Sequence, residues 1–181
     1  MRSKSLPRIF FEAPTLQVAR DLLGKTLVRR MNGKIIRSLI TETEAYIGER
    51  DKACHASRGR TARTAVMYEK AGTAYVYLIY GMHWCLNIVT ERENFPAAVL
   101  IRGIEIDGKR ISGPGRVCKA LGIDKKFNGA DLVGNRALWL EESSVRHRVS
   151  NIQRGPRVGV DYADAWAKKP WRFWIAEPRT P

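Results

Sequence analysis

The chain has 181 residues, 44% of them hydrophobic and 28% charged, which are ordinary values for one globular domain with a sizeable core. Disorder and fibrous repeats are excluded for the bulk of it, and no apolar run approaches the roughly 20 residues of a membrane span. Thirty-two Lys and Arg against eighteen Asp and Glu leave a net charge of +14, a field that attracts polyanions without distinguishing DNA, RNA or an anionic membrane.

Residues 1–8 read as a frayed basic tail, and 9–181 as a single domain. The opening MRSKSLPRIFFEAP has no apolar segment long enough for a secretory signal. Pro14, TLQVARDLL and Gly24 predict a short helix, with the Pro suited to its start and the Gly to its end. Segments 25–30 and 34–46 have strand character and join through Met31-Asn32-Gly33, an Asn-Gly hairpin signal. Residues 47–66 are polar and irregular. Segments 74–80 and 83–90 predict a second hairpin, turning at Gly81-Met82. Residues 97–106 read as a further strand. Ser112-Gly-Pro-Gly leads into the helix RVCKALGI, closed near Gly122. Segments 137–140, 157–160 and 171–175 read as short strands, with DYADAWAK as a helical turn between the last two. The sum is an α+β fold: one domain with a curved, mostly antiparallel β-sheet, a protruding β-hairpin and short surrounding helices.

Two clusters carry chemistry. Strand alternation puts Glu42, Glu44 and Tyr46 on one face, followed by a loop with His55. A solvated polar face is the plain reading of such carboxylates. A shielded Glu could instead act as a general base on water, and an acidic strand end in a +14 chain repels a polyanion unless it serves chemistry. The second cluster runs from Tyr75 to Trp84 and crowds three tyrosines, a His and a Trp onto one hairpin. A packed sheet face explains Tyr75 and Trp84. It explains Tyr80 poorly, because Tyr80 abuts the turn and projects outward, where an aromatic ring can stack on bases or wedge between base pairs.

Other signals are weaker. Gly113-Pro-Gly115 before a helix could cradle a phosphate or could be a plain turn. Cys54, His55, His83, Cys85 and Cys118 match no zinc template, and no metal is expected. No P-loop, dinucleotide fingerprint or deaminase signature is present. The three cysteines form no paired framework, which points to a reducing, intracellular compartment.

Glu-Thr-Glu-Ala-Tyr-Ile-Gly (42–48), Ala-Cys-His (53–55), Gly-Thr-Ala-Tyr-Val-Tyr-Leu-Ile-Tyr-Gly-Met (72–82) with Asn87, Val-Leu-Ile-Arg (99–102), Ser-Gly-Pro-Gly-Arg-Val-Cys-Lys-Ala-Leu (112–121) and Arg-Val-Gly-Val (157–160) together resemble the alkyladenine (3-methyladenine, methylpurine) DNA glycosylase family. The resemblance runs in order over about residues 10–176. It implies a metal-free, cofactor-free, monofunctional repair enzyme, acting as a monomer on double-stranded DNA containing damaged purines, with no membrane partner. Such an enzyme flips an alkylated or deaminated purine into a pocket and hydrolyses its N-glycosidic bond.

Residue by residue, the resemblance makes Glu44 the general base and Arg102 the group that holds Glu44 and the attacking water. Tyr46, His55 and Tyr77 would sandwich the flipped base, and Asn87 would reject the amino group of normal guanine. Tyr80 would fill the gap in the duplex. Met82 beside it, and Gly115 and Arg116 at the helix start, would contact the DNA. Each has a competing structural reading: Arg102 could clamp a phosphate or pair with Glu42, and Asn87 could satisfy a strand edge. A non-catalytic basic nucleic-acid binding module remains the alternative function, and it has no need of a Glu44–Arg102–His55 constellation.

Two departures stand out. Only residues 107–111 connect Ile106 to Ser112, where members of the resembled family usually carry a longer insertion with helical character. A two-residue turn at Gly81-Met82 pairs Tyr77 with Leu86, putting Tyr77 and Asn87 on opposite faces. Both can line one pocket only if the hairpin has a bulge or an odd loop.

Overall fold

A computed structural model describes residues 5–143 and 151–176. Helices α1 (Arg8–Phe11) and α2 (Thr15–Asp21) lead into β1 (Thr26–Met31) and β2 (Lys34–Ile47), then the hairpin β3 (Ala74–Ile79) and β4 (His83–Val89). There follow β5 (Ala97–Ile106), β6 (Lys109–Ser112), α3 (Pro114–Leu121), β7 (Leu138–Glu141), β8 (Ile152–Gly155) and β9 (Arg172–Ile175). The strands make one antiparallel sheet in the order β3-β4-β5-β2-β1-β7, with β6 on β5, β9 on β2 and β8 on β9. The α+β expectation holds: a curved antiparallel sheet with short helices around it.

β2 is the spine. Its first half pairs with β1 through a turn at Asn32 (φ 51°) and Gly33 (φ 73°), the left-handed pair that a two-residue hairpin needs. Its second half is held by β5 on one edge and β9 on the other. Alternation then separates two faces. Thr43 and Ala45 of β2, Val99 and Ile101 of β5, Leu86 and Ile88 of β4 and Val76 of β3 are buried under the helices, where the Thr43 hydroxyl donates to the Ala19 carbonyl at 2.7 Å. Glu44 and Tyr46, Leu100 and Arg102, Cys85 and Asn87, and Tyr75 and Tyr77 line a cleft on the other face.

Several expectations need correction. Residues 5–8 are not frayed. Leu6 is buried and donates its N–H to the Leu140 carbonyl, and Arg8 begins α1 and pairs with Asp131 at 2.7 Å; residues 1–4 of the expected tail lie outside the described residues. Segment 157–160 is not a strand, because Pro156 has no N–H for a ladder and Gly159 turns at φ 73°; the strand is β8, just before it. The short 107–111 connection is the hairpin of β5 and β6, turning at Asp107 (φ 49°) and Gly108 (φ 76°). The aromatic hairpin turns through three residues, Tyr80 to Met82, so Tyr77 pairs with Cys85 and Tyr75 with Asn87. That odd loop is what brings Tyr77 and Asn87 to one face.

α3 begins beside this hairpin. A Cβ on Gly115 would lie 2.9 Å from the His83 Cβ and 3.0 Å from its Cγ. Gly115 thus has a packing reason of its own, whether or not its backbone meets a phosphate. Gly115→Ala should cost about 1–3 kcal/mol, the usual range for overpacking, read as a lower thermal midpoint.

Candidate active site

The cleft holds about 630 Å³, its open mouth included, and is walled by β2, β3, β4, β5 and the segments around His55 and Val158. Glu44 lies at its floor with 0% of its surface exposed. Its Oε1 accepts from the Val158 N–H at 2.8 Å, and its Oε2 accepts from the Tyr46 hydroxyl at 2.8 Å. Arg102 Nε stands 3.6 Å from Oε1. Burial raises the Glu44 pKa above the ordinary carboxylate value, and Arg102, the Val158 N–H and the Tyr46 hydroxyl pull against that rise. The result is an ionisable group that is kept dry yet hydrogen-bonded.

Tyr75, Tyr77 and His55 form the aromatic wall. The His55 and Tyr77 rings meet edge to face at 4.5 Å, and Tyr75 and Tyr77 are tilted at 5.2 Å. His55 Nδ1 and the Tyr75 hydroxyl are hydrogen-bonded at 3.0 Å. Burial, with Arg63 and Arg58 nearby, pushes the His55 pKa down to about 4, so the ring is neutral at neutral pH. Asn87 is buried at the same wall and donates its side-chain N–H to the Tyr75 carbonyl at 3.2 Å. Arg102 pairs with Glu42 at 3.0 Å, which realises the ion-pair reading offered for it.

The residues expected to meet the duplex lie outside this floor. Tyr80 is 81% exposed and Met82 71% exposed, both at the hairpin tip. Arg116 is exposed on the first turn of α3. Tyr80 adopts φ 52°, a left-handed conformation costing a non-glycine residue roughly 1–2 kcal/mol.

Three participants escaped the sequence reading. Tyr75, which a packed sheet face would explain, lies in the cleft instead, where alternation from Tyr77 and pairing with Asn87 put it. Asp51 carries no signal in the sequence, and Arg157 stands there only as the first residue of Arg-Val-Gly-Val (157–160), with no role implied for it. The Arg157 side chain has no exposed surface; it makes two bonds to Asp51, at 2.6 and 2.9 Å, and donates to the Ala45 carbonyl at 2.9 Å and the Trp166 carbonyl at 3.2 Å. Its guanidinium lies 4.8 Å from the Tyr46 ring centre and 5.0 Å from that of Trp171. Among the described residues no three His, Cys, Asp or Glu side chains converge as a metal site, and no helix is long and apolar enough to cross a membrane.

The methylpurine-DNA glycosylase family model matches residues 9–179. The chain belongs to that family. A relative from Methanocella arvoryzae is 51% identical over 185 residues, spanning 93% of this chain and 91% of its own length. Relatives from Myxococcus xanthus and Legionella pneumophila are 49% and 47% identical, spanning 95% and 96% of this chain and 90% and 96% of theirs. All three carry the provisional name 3-methyladenine DNA glycosylase.

In this member of the methylpurine-DNA glycosylase family, Arg157 braces the end of β2 through the Ala45 carbonyl and the Tyr46 ring. Arg157→Met strands the Asp51 carboxylate without its partner in a dry interior, which should cost about 3–5 kcal/mol in a denaturant melt.

Proposed function

We propose that this chain excises alkylated or deaminated purines, 3-methyladenine among them, from duplex DNA by hydrolysing the N-glycosidic bond. The observation that carries the reading is Glu44, fully buried at the floor of an aromatic cleft and bonded to the Val158 N–H, Tyr46 and Arg102. A non-catalytic binder has no use for a dry carboxylate there, and the Glu44–Arg102–His55 constellation is present in one cleft.

The geometry supports the following chemistry. A purine extruded into the cleft lies against Tyr46 and the His55–Tyr77 wall, with Asn87 at its minor-groove edge. The ionised Glu44 takes a proton from water as the water oxygen bonds to C1′. The C1′–N9 pair leaves with the base, and an alkylated, cationic purine departs neutral without a strong acid. The same carboxylate faces the positive charge that builds on the sugar, as in other glycoside hydrolysis. Arg102 orients Glu44 and the water. Neutral His55 and the phenols offer stacking surface without adding a cation to repel a cationic base.

Cation–π attraction is worth roughly 0.5–2 kcal/mol in favourable cases. At Tyr46 it is opposed, because Arg157 lies 4.8 Å from that ring on its buried side. Selectivity for damage therefore leans on easier extrusion of poorly paired bases and on leaving-group quality. The basic surface supplies the non-specific attraction to DNA.

Incubating the purified chain with methylated duplex DNA should release the methylated purine and leave abasic sites. Glu44→Gln should slow release by about 10²–10⁴-fold, the span of a general base, while damaged-duplex binding persists in a gel-shift assay. Near-full turnover of that variant would overturn the mechanism.

Tyr80 is proposed to enter the minor groove and take the place of the extruded nucleotide. Its exposure and left-handed backbone give it no core role, and an inserted ring offsets part of an unstacking cost of a few kcal/mol. Tyr80→Ser should weaken excision from duplex more than from single strands, with the thermal midpoint held or raised. An equal loss on both substrates would move Tyr80 from the duplex to the base pocket.

A further inference from the structure

Glu42, two residues before Glu44 on β2, lies beside the cleft rather than in its lining, and the chemistry above gives it no task. Its side chain is only 14% exposed. Its Oε1 accepts from Arg102 Nε at 3.0 Å and lies 3.5 Å from Arg172 Nη1, and its Oε2 lies 3.5 Å from the Ser112 hydroxyl. Arg102 Nε, held there, stands 3.6 Å from Glu44. One guanidinium thus serves two carboxylates and sits closer to the one that does no chemistry. The backbone is shaped for this: the β2–β5 register is irregular at Glu42, and a Cβ on the facing Gly103 would lie 2.9 Å from the Glu42 Cβ.

We propose that Glu42 is a positioning residue that anchors Arg102 beside, rather than upon, Glu44, so that Arg102 orients the reaction centre while Glu44 stays basic enough to accept a proton. The inference rests on the reading of Glu44 as general base. An arginine paired with Glu44 alone would stabilise the carboxylate and weaken it as a proton acceptor. The groups facing Glu44 are Tyr46 and Glu42 from β2, Arg102 from β5, Tyr77 from β3, Cys85 from β4 and the Val158 N–H after β8; Arg172 of β9 acts through Glu42. Neutralising Glu42 removes a like charge and frees Arg102 toward Glu44. Both effects favour ionised Glu44 and weaken it as a base, so the acid limb of the rate profile moves to lower pH.

The test is single-turnover excision of a methylated purine from duplex DNA across the acid and neutral range, with the full chain. Glu42→Gln should lower the plateau rate about tenfold, short of the about 10²–10⁴ of a lost general base, and move the acid limb to lower pH without loss of damaged-duplex affinity. Arg172→Met, which strips Glu42 of its second cation, should move the limb to higher pH. A rate loss with an unmoved limb means a merely structural role and overturns the proposal, as does a wild-type profile in Glu42→Gln. If Glu42→Gln does not fold, the direction of the Arg172→Met shift decides. Glu44→Gln run alongside keeps the two readings apart: full turnover there sinks the general base, whereas an inactive Glu44→Gln beside an unaltered Glu42→Gln sinks only the role of Glu42.

Discussion

A guanidinium shut away from water is tolerable only when its donors and its flat faces are satisfied, and Arg157 meets that demand almost completely. Asp51 takes two bonds, the Ala45 and Trp166 carbonyls take two more, and the Tyr46 and Trp171 rings cover the planar cation; among the described residues only Nε finds no acceptor. Asp51 also accepts from the Ile47 and Ala53 N–H groups. One residue therefore ties the cleft end of β2, the loop toward His55, the segment after β8 and the 161–171 stretch to a single point. Its neighbour Val158 supplies the N–H that orients Glu44. The position of the proposed base is in this sense a consequence of an ion pair whose two side chains have no exposed surface.

The chain carries +14, yet the charges in and beside its cleft are paired with one another. Glu42 and Glu44 are faced by Arg102 and Arg172, His55 is held uncharged by burial, and the phenols of Tyr46 and Tyr77 are pushed above their ordinary range. The two regions divide the work by distance. Exposed cations act on a polyanion through water, where their summed field steers encounter. Inside the cleft the dielectric is low, each pair interacts strongly, and a stray charge would displace the proton affinity of Glu44.

The hairpin shows how narrowly a cleft is defined. A two-residue turn and a three-residue turn differ by one position in register, and one position swaps every side chain to the other face. With Ile79 opposite His83, Tyr75, Tyr77, Cys85 and Asn87 share the cleft. The extra residue also lifts Tyr80 and Met82 clear of the body as an exposed tip.

Local physics made much of this legible in the residues alone. Period-two alternation is intrinsic to a regular strand, so Glu44 and Tyr46 belong on one face. Asn32-Gly33 permits its own turn, and Pro114 and Gly122 bracket α3 because one suits a helix start and the other a left-handed end. Tyr80 is outermost because no chain lies beyond a hairpin tip. Tertiary structure decided the rest. Arg157 opens the Arg-Val-Gly-Val motif without a role of its own until Asp51, 106 positions earlier, meets it in the core. The loop length at Gly81 follows from how β4 must pair with both β3 and β5. Whether Arg102 serves Glu42, Glu44 or a phosphate depends on distances of 3.0 and 3.6 Å across two strands. Such outcomes are set by contacts between segments remote in the chain, and no local preference of either segment encodes them.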